Sequence, residues 1–192
     1  VNEIGSLYTS DPMEAGMLKM LESIEAEHEA EGWGYPPVLG VVYRALIPED
    51  VLHQQFEDAG LELPHEGLVD AYAFEAKRLF DFGDPNFAYR DEDPVVAMRL
   101  MSAALKVAPT KPPQPEHVQC WFFLAEAMLS VHKRFRRHER RARMVAAVDL
   151  ADTVYGVIRF HDTGERVSDF GNVEFDGDLT DALRDLLQAS IS

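Results

Sequence analysis

The 192-residue sequence holds one cysteine, Cys120, so no internal disulfide can form and the chain suits a reducing compartment. Basic residues are few: 18 Lys and Arg stand against 34 Asp and Glu, a formal net charge of −16. Such a surface argues against nucleic acid or an anionic membrane as principal partner. No apolar run approaches the ~18 residues of a membrane span. The opening VNEIGSLYTSDP has neither a basic n-region nor an apolar h-region, so no secretory leader is expected. A cytoplasmic setting follows as the expectation. Catalytic signatures are missing as well. There is no His-Glu-x-x-His, no paired-cysteine zinc motif, no Gly-x-Ser-x-Gly elbow, no phosphate-cradling loop and no dinucleotide fingerprint. No catalytic residue, metal ligand set or cofactor is assigned, and the balance leans away from an enzyme.

What is present describes a folded chain. It is 46% hydrophobic and 27% charged, ordinary for a globular domain. At one domain per ~150 residues, residues 1–192 are expected to form a single domain with a proline-rich crossover at 108–115. Asp11, Pro12 and Glu14 read as cap, first helical residue and capping box, opening a helix that stops at Gly32. Met13, Met17, Met20, Leu21 and Ile24 form its apolar stripe, with Glu22, Glu25, Glu27 and Glu29 placed on the other side. Val38–Ile47 is apolar and β-branched almost throughout, which predicts a central strand buried on both faces.

Helices are then predicted over 48–60, from Pro48, and over 67–80. An acidic loop spans Asp81–Asp93, and a further helix opens at Asp93-Pro94. Its core face is read as Val96, Leu100, Ala103, Ala104 and Val107. Beyond the prolines, Val118, Trp121, Phe122, Ala125, Met128 and Leu129 suggest the best-buried helix, with Trp121 inside. Ala142–Leu150, Thr153–His161 and Arg166–Phe170 read as a β-meander, and a last helix carries Leu183, Leu186 and Leu187. The fold class expected is α+β: an antiparallel sheet of about four strands with helices packed on one side.

Lys133–Arg143 (KRFRRHERRAR) concentrates seven basic residues around one acid. Read for function, Arg136, Arg137, Arg140 and Arg141 are candidate binding residues for an anion. Read for structure, at least half of Arg134, Arg136, Arg137, Arg140, Arg141 and Arg143 should pair with carboxylates such as Asp149, Asp162, Glu165, Asp169 or Glu174. The structural outcome is the one expected, with the cluster passing from helix into strand. Glu25-x-x-His28 shares one helical face but lacks the second such pair that a di-iron bundle requires, so His28 is expected in solvent. Asp162-Thr163-Gly164 has no second copy to complete an aspartic-protease dyad and reads as a hairpin turn. Cys120, beside Trp121 and Phe122, reads as a buried inert thiol.

Trp33 and Tyr35, the other candidate binding residues, lie in Gly32-Trp33-Gly34-Tyr35-Pro36-Pro37-Val38-Leu39. On physical grounds they are aromatic plugs, and the two prolines fix the chain's entry into the strand. The Gly-Trp-x-x-Pro-Pro-x-Leu turn resembles a pattern of small uncharacterised actinobacterial proteins, over about a fifth of the chain. That resemblance implies an N-terminal helix, an apolar strand, a helical middle, a C-terminal β-hairpin and a cytoplasmic bacterial setting, and carries no activity. Arginine outnumbers lysine thirteen to five, in keeping with a high-GC genome, bacterial or phage. The leading expectation is a non-catalytic accessory or protein-interaction domain. Two alternatives stand beside it: an enzyme with a pocket near Trp33–Pro37, and an acidic DNA mimic with carboxylates in rows on the first helix and the 81–93 loop.

Overall fold

Pro12 opens helix α1 (Pro12–Glu31), and Gly32, at φ 104°, ends it by donating its amide to the Glu29 carbonyl. The computed structural model describes residues 12–46, 58, 72–107, 118–133, 136–170 and 177–191. The remaining elements are β1 (Val38–Leu46), β2 (Tyr72–Asp81), α2 (Pro94–Val107), β3 (Val118–Lys133), β4 (Arg136–Asp149), β5 (Val154–Phe160), β6 (Arg166–Phe170) and α3 (Gly177–Ile191). Apart from Asp58, the helix expected over 48–60 lies outside the described residues, as do the cap Asp11 and the proline-rich crossover.

The strands form one sheet in the order β2-β1-β3-β4-β5-β6, antiparallel throughout. The expected class, α+β with an antiparallel sheet, is the one observed, but the sheet has six strands rather than about four. Both added strands come from segments read as helices. The run Val118–Leu129 is apolar at almost every position, so it satisfies a helical stripe and a strand alternation equally. Its β-branched and aromatic residues, flanked by β1 and β4, make it the central strand. Trp121 is buried as expected, at 1% exposure, but in a strand. Residues 72–81 are rich in helix formers, yet β2 pairs with β1 from Leu46↔Tyr72 to Val38↔Asp81. Tertiary pairing outweighs the weak local preference.

Helices cover both faces of the sheet, not one. Alternation along each strand sends its residues to two separate cores. Leu39, Val41, Trp121, Phe123, Met144 and Val148 meet Met98 and Met101 of α2 and Leu183, Leu186 and Leu187 of α3. Val38, Val42, Cys120, Phe122, Val145 and Tyr155 meet Met17, Leu21 and Ile24 of α1. One buried polar pair is tied to the backbone: Trp121 Nε1 donates to Ser190 Oγ at 2.8 Å, and Ser190 donates to the Leu186 carbonyl at 2.7 Å. Gly40 sits where a Cβ would lie 2.4 Å from the Phe122 ring and 2.5 Å from the Lys77 carbonyl. Only glycine lets the three strands approach at that point.

The meander follows expectation. Asp149 holds its first turn, accepting the amides of Ala151 at 2.9 Å and Thr153 at 2.8 Å, and Tyr155 donates its hydroxyl to the other carboxylate oxygen at 2.7 Å. Asp162-Thr163-Gly164 is a turn between β5 and β6, with Gly164 at φ 66°. Asp93 caps α2 by accepting the Val95 amide at 2.9 Å.

Candidate functional site

The two candidate regions, the aromatic turn and the arginine cluster, converge at one end of the α1-covered face. The described residues of the cluster are strand: β4 begins at Arg136, opposite Lys133 of β3. Alternation along β4 then splits the arginines between the faces, which corrects the expected passage from helix into strand. Arg134 and the side chains of Arg136 and Arg137 lie outside the described residues.

Arg140 points away from α1. Its Nε lies 3.1 Å from both oxygens of Asp162, its Nη2 2.5 Å from one of them, and its guanidinium stacks 3.8 Å from the Phe160 ring centroid. Arg141 and Arg143 point toward α1. Arg141 donates to Glu126 Oε2 at 2.5 and 3.1 Å. Arg143 is fully buried and donates to Glu29 at 2.6 Å and to the Gly32 carbonyl, with Glu126 at 3.6 Å and Glu25 at 3.7 Å. Three of the six arginines are thus tied to carboxylates. The partners differ in part from those expected: Asp162 and Glu165 hold Arg140, whereas α1 and β3 hold the other two.

The turn closes over this network. The Trp33 ring lies 4.5 Å from the Arg143 guanidinium, 5.4 Å from that of Arg141, and edge-on to His161 at 4.6 Å. Gly34, at φ 96°, donates its amide to Glu126 Oε1 at 2.7 Å. Burial alone would raise the Glu126 carboxyl, but the Gly34 amide and the Arg141 guanidinium hold it below the ordinary carboxylate value. Tyr35, 45% exposed, meets His28 edge-on at 5.5 Å.

His28 and Glu25 are corrections to the sequence reading. His28 is 2% exposed and Glu25 is fully buried. Glu25 accepts both arms of Arg159 at 2.7 Å, and His28 Nδ1 lies 2.8 Å from Glu31, which Arg78 also engages at 3.0 Å. Burial, and then the Arg143 charge, push the His28 imidazole below its ordinary value. A helix with glutamates on two sides looks amphipathic by its apolar residues alone, and nothing local reveals that the sheet beneath carries arginines. Among the described residues no group of three or more His, Cys, Asp or Glu is placed to hold a metal ion. Cys120 is sealed, its thiol pushed well up by burial and by the Asp149 charge, so it is no nucleophile.

A second surface was legible in the sequence but assigned to the wrong side. In α2 the buried residues are Ala97, Met98, Met101 and Ser102. Val96, Leu100, Ala103, Ala104 and Val107, the expected core face, all point to solvent, Val107 at 83% exposure. Only Arg99, Ser102 and Lys106 interrupt the helix's apolar residues, so two stripes compete for the sheet. Ser102 settles the choice in part, donating to the Asp185 carbonyl of α3 at 3.0 Å. The apolar composition all round was the signal: such a helix either buries both sides or offers one to a partner. At its N-terminal end lies the 81–93 loop, with five carboxylates and one arginine. No helix among the described residues is long and apolar enough to cross a membrane.

Comparison with family models, with curated proteins and with solved structures finds no match for this chain.

Proposed function

We propose that the chain is a non-catalytic protein-interaction domain and that α2 presents its outer stripe to a partner protein. The observation that carries this reading is the stripe itself: Val96, Leu100, Ala103, Ala104 and Val107 share one side of the 14-residue helix and face water. A soluble chain keeps such a row exposed at a cost in hydration, which a partner's apolar side chains relieve. The carboxylates at the helix's N-terminal end and the chain's −16 charge favour a partner whose apolar ridge is flanked by Lys or Arg. The arginines support the same reading from the other direction. Arg140, Arg141 and Arg143 are spent on internal carboxylates, so they offer no ready cradle for a phosphate or a substrate carboxylate. Four glutamates of α1, Glu22, Glu25, Glu29 and Glu31, are engaged by arginines of the sheet, which tells against a DNA mimic displaying them in rows. The Gly32–Leu39 resemblance and the single buried cysteine favour a cytoplasmic bacterial setting.

The test is affinity capture from the source cell with the wild-type chain and with Leu100→Glu, an exposed position outside both cores. A protein captured by the wild type, released as salt rises and absent from the Leu100→Glu capture at an unchanged unfolding midpoint is the expected result. Equal capture by both chains overturns the reading.

A further inference from the structure

The exposed residues of α2 are spaced in a way that names their occupant, granted the reading above that α2 is an interaction face. Val96, Leu100, Ala103 and Val107 stand four, three and four residues apart, the repeat of a seam that packs against one other helix. We propose that the other helix is α2 of a second copy, laid antiparallel to the first about a two-fold axis.

Three observations choose that occupant. The first is self-complementarity. A seam survives reversal only if its spacings are symmetric, and four, three, four is symmetric. Antiparallel pairing sets Leu100 of each copy against Ala103 of the other, and Val96 against Val107. Large meets small at the centre, valine meets valine at both ends, and Ala104 beside the seam lets the backbones come close. The second is charge at the ends. The helix has no acidic residue, Lys106 is exposed in its last turn, and exposed Asp91, Glu92 and Asp93 lead into its first. Antiparallel pairing brings Lys106 level with Ala97 of the other copy, about one turn from Asp93. Each end of the seam then joins a cation to an acidic loop, whereas a parallel pair would set loop against loop. The third is the flank formed by α3, where charges are already matched. Arg99 pairs with Asp178 at 2.6 Å and Arg184 with Asp181 at 2.5 Å, so the −16 of the chain is not focused on this face. Repulsion between the rest of the two chains is confined by salt to a range of ~8 Å. One helix per copy makes a contact at the small end of specific interfaces, so the dimer dissociates on dilution and is populated near ~1 mM.

Sedimentation equilibrium from ~1 μM to ~1 mM should show the weight-average mass of the wild-type chain rising from 21.6 kDa toward twice that value. Leu100→Glu should stay at 21.6 kDa throughout. Cysteine variants read the register. Val96→Cys and Val107→Cys, mixed and oxidised, should give a disulfide-linked dimer, Cys120 being buried. Neither should give it alone, because antiparallel pairing holds each position about 16 Å along the axis from its own counterpart. Dimer from Val96→Cys alone, none from the mixture, or a wild-type chain still monomeric at ~1 mM overturns the proposal. The reading of α2 as an interaction face has a separate readout in the capture experiment. A monomeric chain that captures another protein only while Leu100 is intact loses the self-pairing and keeps the face. A monomeric chain whose Leu100→Glu variant captures equally loses both.

Discussion

On one face of the sheet α2 and α3 are held by an apolar interlock of leucines, methionines and Trp121; on the other, α1 is apolar for its first half and ionic for its second. The difference separates two ways of fixing a helix. Apolar packing is strong and tolerant of small slips, because its free energy follows buried area. Charge pairs add little net stability once desolvation is counted, yet they specify a single register, and removing one member leaves its partner stranded. The first face should therefore answer to volume, the second to charge and pH.

The largest effect is expected from Trp121→Ala, which opens a cavity between the sheet and α3 and removes the donor to Ser190 Oγ; about 4 kcal/mol of unfolding free energy should be lost in a denaturant titration. Glu25→Ala follows, at about 3 kcal/mol, because it leaves the fully buried Arg143 and the mostly buried Arg159 short of a carboxylate. Since the site is buried, added salt should not recover that loss. A Glu25→Ala loss that added salt largely recovers would make the pair a screened surface contact and erase the proposed contrast.

Acid should loosen the second face before the first. The unfolded chain protonates its histidines near 6.5, whereas burial and Arg143 keep His28 neutral in the folded state. Below that pH the unfolded state binds more protons, so stability falls as the pH falls, until His28 itself protonates. Glu31 and Glu126 extend the loss through the carboxylate range. Burial opposes their ionisation, but Arg78 in one case and the Gly34 amide with Arg141 in the other hold both below the ordinary value. Unfolding midpoints measured from pH 7.5 to 5 should drop, and His28→Gln should remove the upper part of that slope. The smallest effect is expected at Arg140→Ala. Its partner Asp162 is 57% exposed, and such pairs are screened. Its unfolding midpoint should stay within the scatter of repeated wild-type scans.

Much of the order of elements was readable from local chemistry. Pro12 and Gly32 bound α1, Asp93-Pro94 opens α2, Val38–Leu46 is the interior strand expected, and the turns at Asp149 and Asp162 divide the meander where their residues say. Misreadings arose where one pattern fits two structures. The apolar run of β3 and the helix-forming letters of β2 were decided by hydrogen-bonded neighbours hundreds of atoms away along the chain. In the candidate site, Trp33, Tyr35 and the arginines were found as separate features. Their meeting, with Glu25 and His28 drawn inside, depends on β1 and β4 flanking β3 and on α1 folding back across them.

By itself, then, the sequence determined what is local: caps, turns, the punctuation of Gly and Pro, the absence of a disulfide framework, and the surplus of negative charge. These follow from dihedral limits and from composition, which need no knowledge of neighbours. Tertiary structure alone decided which apolar stripe of α2 meets the sheet, which segments become strands, and which glutamate neutralises which arginine. Burial and pairing are properties of surfaces that meet, and the sequence states each surface without stating its partner.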